Sequence, residues 1–125
     1  MRLTAAILGA GIALMAGAAS AEPAPPWEGY WAANAAWCAR AGDVGEETPD
    51  WYGRDGLFGL EWSCDITSLR PTGMVQSWAV GLTCLDGGDE FQDSQIFLLT
   101  DLDRLLILDE TGVAANLVRC VEVKK

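Results

Sequence analysis

The chain has 125 residues, with 8 basic against 18 acidic side chains, no histidine and a net charge of −10. That balance argues against nucleic acid and anionic membrane as partners, because each phosphate contact normally calls on Lys or Arg. It suits a basic protein or a cation, and it is equally what keeps a secreted domain soluble. With no GxSxG, P-loop or HExxH string, only carboxylate pairs remain as acid–base groups, so no enzyme activity is expected.

Arg2, the apolar run from Ala5 to Ala19 and the small-residue exit Ala19-Ser20-Ala21 form the three parts of a secretory signal peptide, predicted over residues 1–21. The run is rich in Ala and Gly and short for a bilayer, so no membrane span is expected. Cysteine first occurs at Cys38, which gives no lipid-anchoring site. Cleavage after Ala21 removes Arg2 and no acid, taking the net charge to about −11, and delivers a periplasmic or secreted product.

Residues 22–26 (Glu22-Pro23-Ala24-Pro25-Pro26) read as an extended arm, since proline fixes φ and removes donors. Residues 27–125 read as a single β domain. Trp27 to Trp31 is aromatic enough for a first strand, and the Ala-rich stretch Ala32 to Arg40 allows one or two helical turns. Gly42 to Pro49 is an acidic loop. From Leu57 to Ile66, the residues Phe58, Leu60, Trp62, Cys64 and Ile66 alternate with smaller or polar ones, which predicts a strand with one wet face. A turn at Arg70-Pro71-Thr72-Gly73 leads into a second strand, Met74 to Leu85, on which Met74, Trp78, Val80, Leu82 and Cys84 share a face. Aligning the two apolar faces requires even-numbered residues to pair with even-numbered ones, hence an odd loop or a bulge. Asp86 to Glu90 is a turn, Gln95 to Thr100 and Leu105 to Asp109 are short strands, Glu110-Thr111-Gly112 turns again, and Asn116 to Val123 closes the chain. The fold class is therefore all-β: a small antiparallel meander or barrel, disulfide-bonded, with a helical turn near its N-terminus.

Cys38, Cys64, Cys84 and Cys120 all lie beyond the predicted signal, and an even number in an exported chain reads as two disulfides. Three pairings are possible; Cys38 with Cys64 and Cys84 with Cys120 is the expected one. Neither a CxxC pair nor a histidine offers a zinc site. The acids Asp86, Asp89, Glu90 and Asp93 crowd one stretch, but their spacing does not follow the EF-hand order, so no metal and no cofactor are expected. Trp62 and Trp78 belong to alternating apolar faces and read as core. Trp27, Trp51 and Tyr52 sit near loops or the arm, where they read either as packing for the barrel ends or as anchors for a partner, with Asp89 and Glu90 as charged contacts.

Gly29-Tyr30-Trp31 resembles the Gly-x-Trp start of lipocalin-like (calycin) barrels, and Arg119 matches the arginine that those barrels pack over that tryptophan at their closed end. In size and layout the chain is similar to two periplasmic groups, the metalloprotease inhibitors, where a cysteine follows the Gly-x-Trp as Cys38 does here, and the C-type lysozyme inhibitors. It also resembles small secreted proteins of Gram-negative bacteria that open on Gly-x-Trp and end on Arg-Cys, here Arg119-Cys120. The resemblance implies a non-enzymatic binding module, with inhibition of a basic hydrolase as one role and the Glu22 to Pro26 arm as the part that enters a protease cleft. The alternatives are a small-molecule carrier and an envelope structural or assembly protein. The sequence leaves the oligomeric state open.

Overall fold

The computed structural model describes residues 23–41, 43 and 45–121. The predicted signal peptide, Glu22 and the end of the last predicted strand, Glu122 and Val123, lie outside them. Eight strands follow one another around a closed antiparallel barrel: β1 (Gly29–Ala32), β2 (Asp50–Tyr52), β3 (Gly56–Gly59), β4 (Trp62–Pro71), β5 (Ser77–Asp86), β6 (Asp89–Leu99), β7 (Arg104–Asp109) and β8 (Ala114–Cys120). Each pairs with its neighbours in sequence, and β8 returns to β1 through Trp31 opposite Arg119. Closure leaves no unpaired edge. Among the described residues, no helix is long and apolar enough to cross a membrane.

The long alternating run does not make one strand. It is interrupted at Leu60-Glu61, where Glu61 takes a positive φ of 59° and Gly59 pairs with Trp62 across a two-residue turn. The parity therefore flips at the turn: Leu57, opposite Cys64, points inward, whereas Phe58 faces solvent. The Trp62 indole lies over Gly59 so closely that any side chain there would collide with it.

Between β4 and β5 the register is even-with-even from Trp62 opposite Asp86 to Ile66 opposite Leu82, and it shifts at a bulge between Ile66 and Ser68. The strand runs on through Pro71, so the turn falls at residues 72–76, later than the Arg70 to Gly73 turn expected, and Met74 is exposed in that loop instead of sharing the inner face. The next turn is tighter than Asp86 to Glu90 suggests. Gly87 and Gly88, with φ of +60° and +90°, form a two-residue hairpin, so Asp89 and Glu90 begin β6 well before Gln95.

The disulfides are Cys38–Cys120 and Cys64–Cys84, not the expected pairs. Cys64 and Cys84 occupy directly opposed positions on β4 and β5, facing inward. The 3₁₀ helix η1 (Ala35–Arg40), N-capped by the Asn34 side chain, packs against β1 and β8 and brings Cys38 to Cys120. Sequence proximity was the wrong guide, because the barrel seam joins the two ends of the chain.

Loops alternate between the two ends of the barrel. The segment 23–28 crosses one end, together with the β2–β3, β4–β5 and β6–β7 connections, and closes it. Trp27 and Trp31 are both completely buried there, with Trp27 meeting Phe97 edge-to-face at 5.1 Å between centroids. The Trp31 indole donates to the Trp27 carbonyl at 2.8 Å, whereas the Trp27 indole N–H has no partner among the described residues. Arg119 locks this end: its guanidinium lies 4.4 Å from the Trp31 ring centroid and donates to the carbonyls of Pro26 and Glu28 and to the Asp103 carboxylate. The remaining inner residues, Leu57, Val80, Leu82, Leu99, Leu105 and Ile107, fill the barrel, as side chains do in small eight-stranded barrels. Trp62 and Trp78 are half-buried and pack against this core.

Candidate functional site

The opposite end, formed by the 33–49 connection, the turn 60–61, the hairpin at Gly87-Gly88 and the β7–β8 turn, has no plug among the described residues. Inward-facing residues of β6 become polar as they approach it. Below lie Phe97 and Leu99, which are buried; above them come Gln95, Asp93 and then Phe91 at the rim. Opposite stand Trp62 and Asp86, which pair across β4 and β5. Together they surround a cup of about 150 Å³ whose floor holds Tyr52, Leu57 and the Cys64–Cys84 bridge. Asp93 accepts hydrogen bonds from the Ser94 amide at 2.8 Å and the Gln95 side-chain amide at 3.1 Å, both neutral donors.

Outside the same end, three adjacent strands carry one aromatic residue each in register: Tyr30 opposite Trp51, and Trp51 opposite Phe58. The Tyr30 and Trp51 rings meet at 4.9 Å, and Phe58 is half-exposed, followed at the turn by exposed Leu60. Gly87 donates its amide to the Glu61 carbonyl, which joins this ladder to the acidic hairpin.

The balance of charge differs between the two ends: near the closed end four arginines stand among Glu28, Asp55, Asp101 and Asp103, and the mouth is almost wholly acidic. Arg54, Arg70, Arg104 and Arg119 sit in the half of the barrel toward the closed end, as the direction of each strand requires. Arg40, on η1, is paired with Asp43 and Glu47. Glu61, Asp86, Asp89, Glu90, Asp93 and Glu110 surround the open end, where no Lys or Arg forms an ion pair with them among the described residues. The open end is thus a concentrated negative field bordered by exposed aromatic and aliphatic surface.

Of the expected anchors, Trp51 belongs to the outer ladder, and Asp89 and Glu90 stand exposed on the open-end hairpin. Trp27 and Tyr52 are not exposed anchors. Trp27 is sealed in the plug, and Tyr52 is on the inward side of β2, only 7% exposed and stacked on Phe97. Phe58, Leu60 and Phe91 had been overlooked as surface residues; the turn glycines and the crowded acids were the available signals for them.

Comparison with family models, curated proteins and solved structures returns no match.

Burial also tunes two groups near the cup. Asp50, on the inward side of β2, has its carboxyl pushed up to about 6 by burial. The Tyr52 phenol is pushed above its ordinary value, first by burial and then by the neighbouring Asp50 charge, so it remains a neutral hydroxyl. Among the described residues, no group of three or more His, Cys, Asp or Glu side chains is placed to hold a metal ion. The two disulfides are consistent with an oxidising, extracytoplasmic compartment.

Proposed function

We propose that the protein is a non-enzymatic binding module of the periplasm or the secreted space, which docks a basic protein through its open end. The observation that carries this reading is the uneven balance of charge: acids without an ion pair among the described residues surround the mouth, whereas at the sealed end the arginines offset the acids around them. Such a field orients a basic partner during approach and raises its association rate. The Tyr30–Trp51–Phe58 ladder supplies the packed contact that field alone cannot give, since aromatic side chains dominate binding hot spots. The stacking of Arg119 on Trp31 is the closed-end arrangement that the calycin resemblance implies, and with the acidic mouth that resemblance makes a basic hydrolase such as a C-type lysozyme the first partner to test. A carrier of lipid-sized cargo is disfavoured, because pockets for drug-sized ligands run to about 300–1,000 Å³ and the cup holds about 150 Å³.

The test is stopped-flow association of the oxidised protein with a C-type lysozyme at low and high salt, alongside an activity assay of the hydrolase. Association should be fast at low salt, slow as salt rises, and slow about tenfold when Asp89 and Glu90 are replaced by Lys. Unchanged rates in that variant would sink the role assigned to charge, and absence of binding at low salt would sink the docking to this class of partner.

A further inference from the structure

We propose that the cup at the mouth of the barrel binds an alkylammonium group. This deepens the docking reading and rests on it only for the case in which the group is the lysine side chain of a basic partner; a free amine needs no docking.

The lining selects for charge. Trp62 and Phe91 offer aromatic surface, Asp86 and Asp93 offer carboxylates, and no cationic side chain lines the cup. A cation seated against aromatic faces is held by their quadrupoles, increasingly so as water is excluded, and carboxylates beside such a cage add direct attraction. An anion would meet Asp86 and Asp93 with no compensating donor charge. A neutral apolar molecule would gain nothing from either carboxylate and would cost the partly buried Asp93 some of its hydration.

The floor adds a largely buried polar side chain that no protein group engages. Tyr52 is 7% exposed and lines the cup, yet its hydroxyl makes no hydrogen bond to any described residue. The hydroxyl is not sealed from water, since the Trp27 indole nitrogen is the one fully buried side-chain polar atom without a partner among the described residues, so it can exchange solvent for a ligand in the cup. An ammonium N–H entering between the carboxylates and the aromatic walls would give that hydroxyl a donor to accept from. Asp93 is already held in place by the Ser94 amide and the Gln95 side chain, so its carboxylate is oriented in advance without being neutralised. The volume, about 150 Å³, suits a group the size of a lysine tip or a small amine and excludes a larger cargo.

The experiment follows the Trp62 indole N–H resonance of the full oxidised protein during titration with butylammonium chloride and tetramethylammonium chloride at constant ionic strength. Tert-butanol serves as the uncharged probe of similar bulk. A saturable shift with butylammonium, absent with tert-butanol and weakened at least fivefold in Asp93→Asn and in Asp86→Asn, supports the assignment. Phe91→Ala, at a rim position 44% exposed, should weaken it at least threefold. Tetramethylammonium has no N–H, so tighter binding of butylammonium supports the hydrogen bond to Tyr52. No saturable shift with either cation, equal binding of tert-butanol, or indifference to both carboxylate substitutions overturns it. Competition of a C-type lysozyme with the bound probe identifies a protein-borne lysine as the occupant, and probe binding without competition identifies a free amine. Lysozyme binding without any ammonium shift would overturn the cup assignment while leaving the docking reading intact, and the converse would overturn that docking alone.

Discussion

The two ends of the barrel solve opposite problems with the same strands. At the closed end Arg119 meets two carbonyls, one carboxylate and one aromatic face, and Trp31 donates to Trp27, while the Trp27 indole N–H is left without a partner among the described residues. At the open end the acids form no ion pair with Lys or Arg among the described residues, the Tyr52 hydroxyl has no protein partner there, and Phe58 and Phe91 are about half exposed. The packing contacts gather where the first and last strands meet, and the proposed recognition falls to the opposite end. A small domain has little margin to spare for exposed apolar surface and crowded like charge, so the sealed end must offset the open one.

The strongest challenge to this contrast is removal of the Cys38–Cys120 bridge, which ties η1 to the last strand across a separation of 82 residues. Replacing both cysteines by Ser should lower stability by about 4.5 kcal/mol, against about 3 kcal/mol for Cys64 and Cys84, from the loop-length dependence of cross-linking. Urea denaturation of the two double variants measures it, and a larger loss from the bridge beneath the cup would reverse the contrast. Next comes Arg119→Met, which strands the Pro26 and Glu28 carbonyls and frees the plug. A loss of about 3 kcal/mol is expected, whereas Phe91→Ser at the opposite rim should cost less than about 1 kcal/mol.

A subtler test uses pH. Asp50 ionises near 3.8 when unfolded and near 6 when folded, so the folded state takes up this proton first. The group's penalty is present above pH 6 and is relieved as the pH falls from about 6 toward 3.8. Asp50→Asn should therefore be more stable than the parent protein at pH 7, and should lack that part of the rise on acidification. Parallel stability profiles for the two proteins would show that Asp50 is better solvated than its position on the inner side of β2 implies.

The barrel was legible where apolar and polar residues alternate without interruption, as from Val80 to Cys84, and where glycines and acids mark turns. It was misread where one local feature reversed the alternation. The turn at Leu60-Glu61 has no glycine at its positive-φ position, so the run from Leu57 to Ile66 looked continuous and Phe58 was placed on the wrong face. The first half of β6, Asp89 to Asp93, is too polar to show a pattern, because it borders the mouth instead of the core. The even-with-even register inferred for β4 and β5 already permitted Cys64 to oppose Cys84; what misled was neighbourhood in sequence. Trp27 and Tyr52 show the limit for the site. Whether an aromatic residue beside a loop plugs a barrel or faces a partner depends on which way its strand alternates and on where the N-terminal segment crosses, and both are set by closure.

The central claim, that the open end recognises and the closed end stabilises, is tested most directly by paired charge reversal. Asp89→Lys with Glu90→Lys at the mouth is compared with Asp55→Lys with Asp101→Lys in closed-end loops, which changes the net charge by the same amount. Association rates with a C-type lysozyme at low salt should fall about tenfold for the first pair and stay within about twofold for the second. Equal losses from both pairs would mean that net charge alone draws the partner, and would contradict the assignment of recognition to the open end.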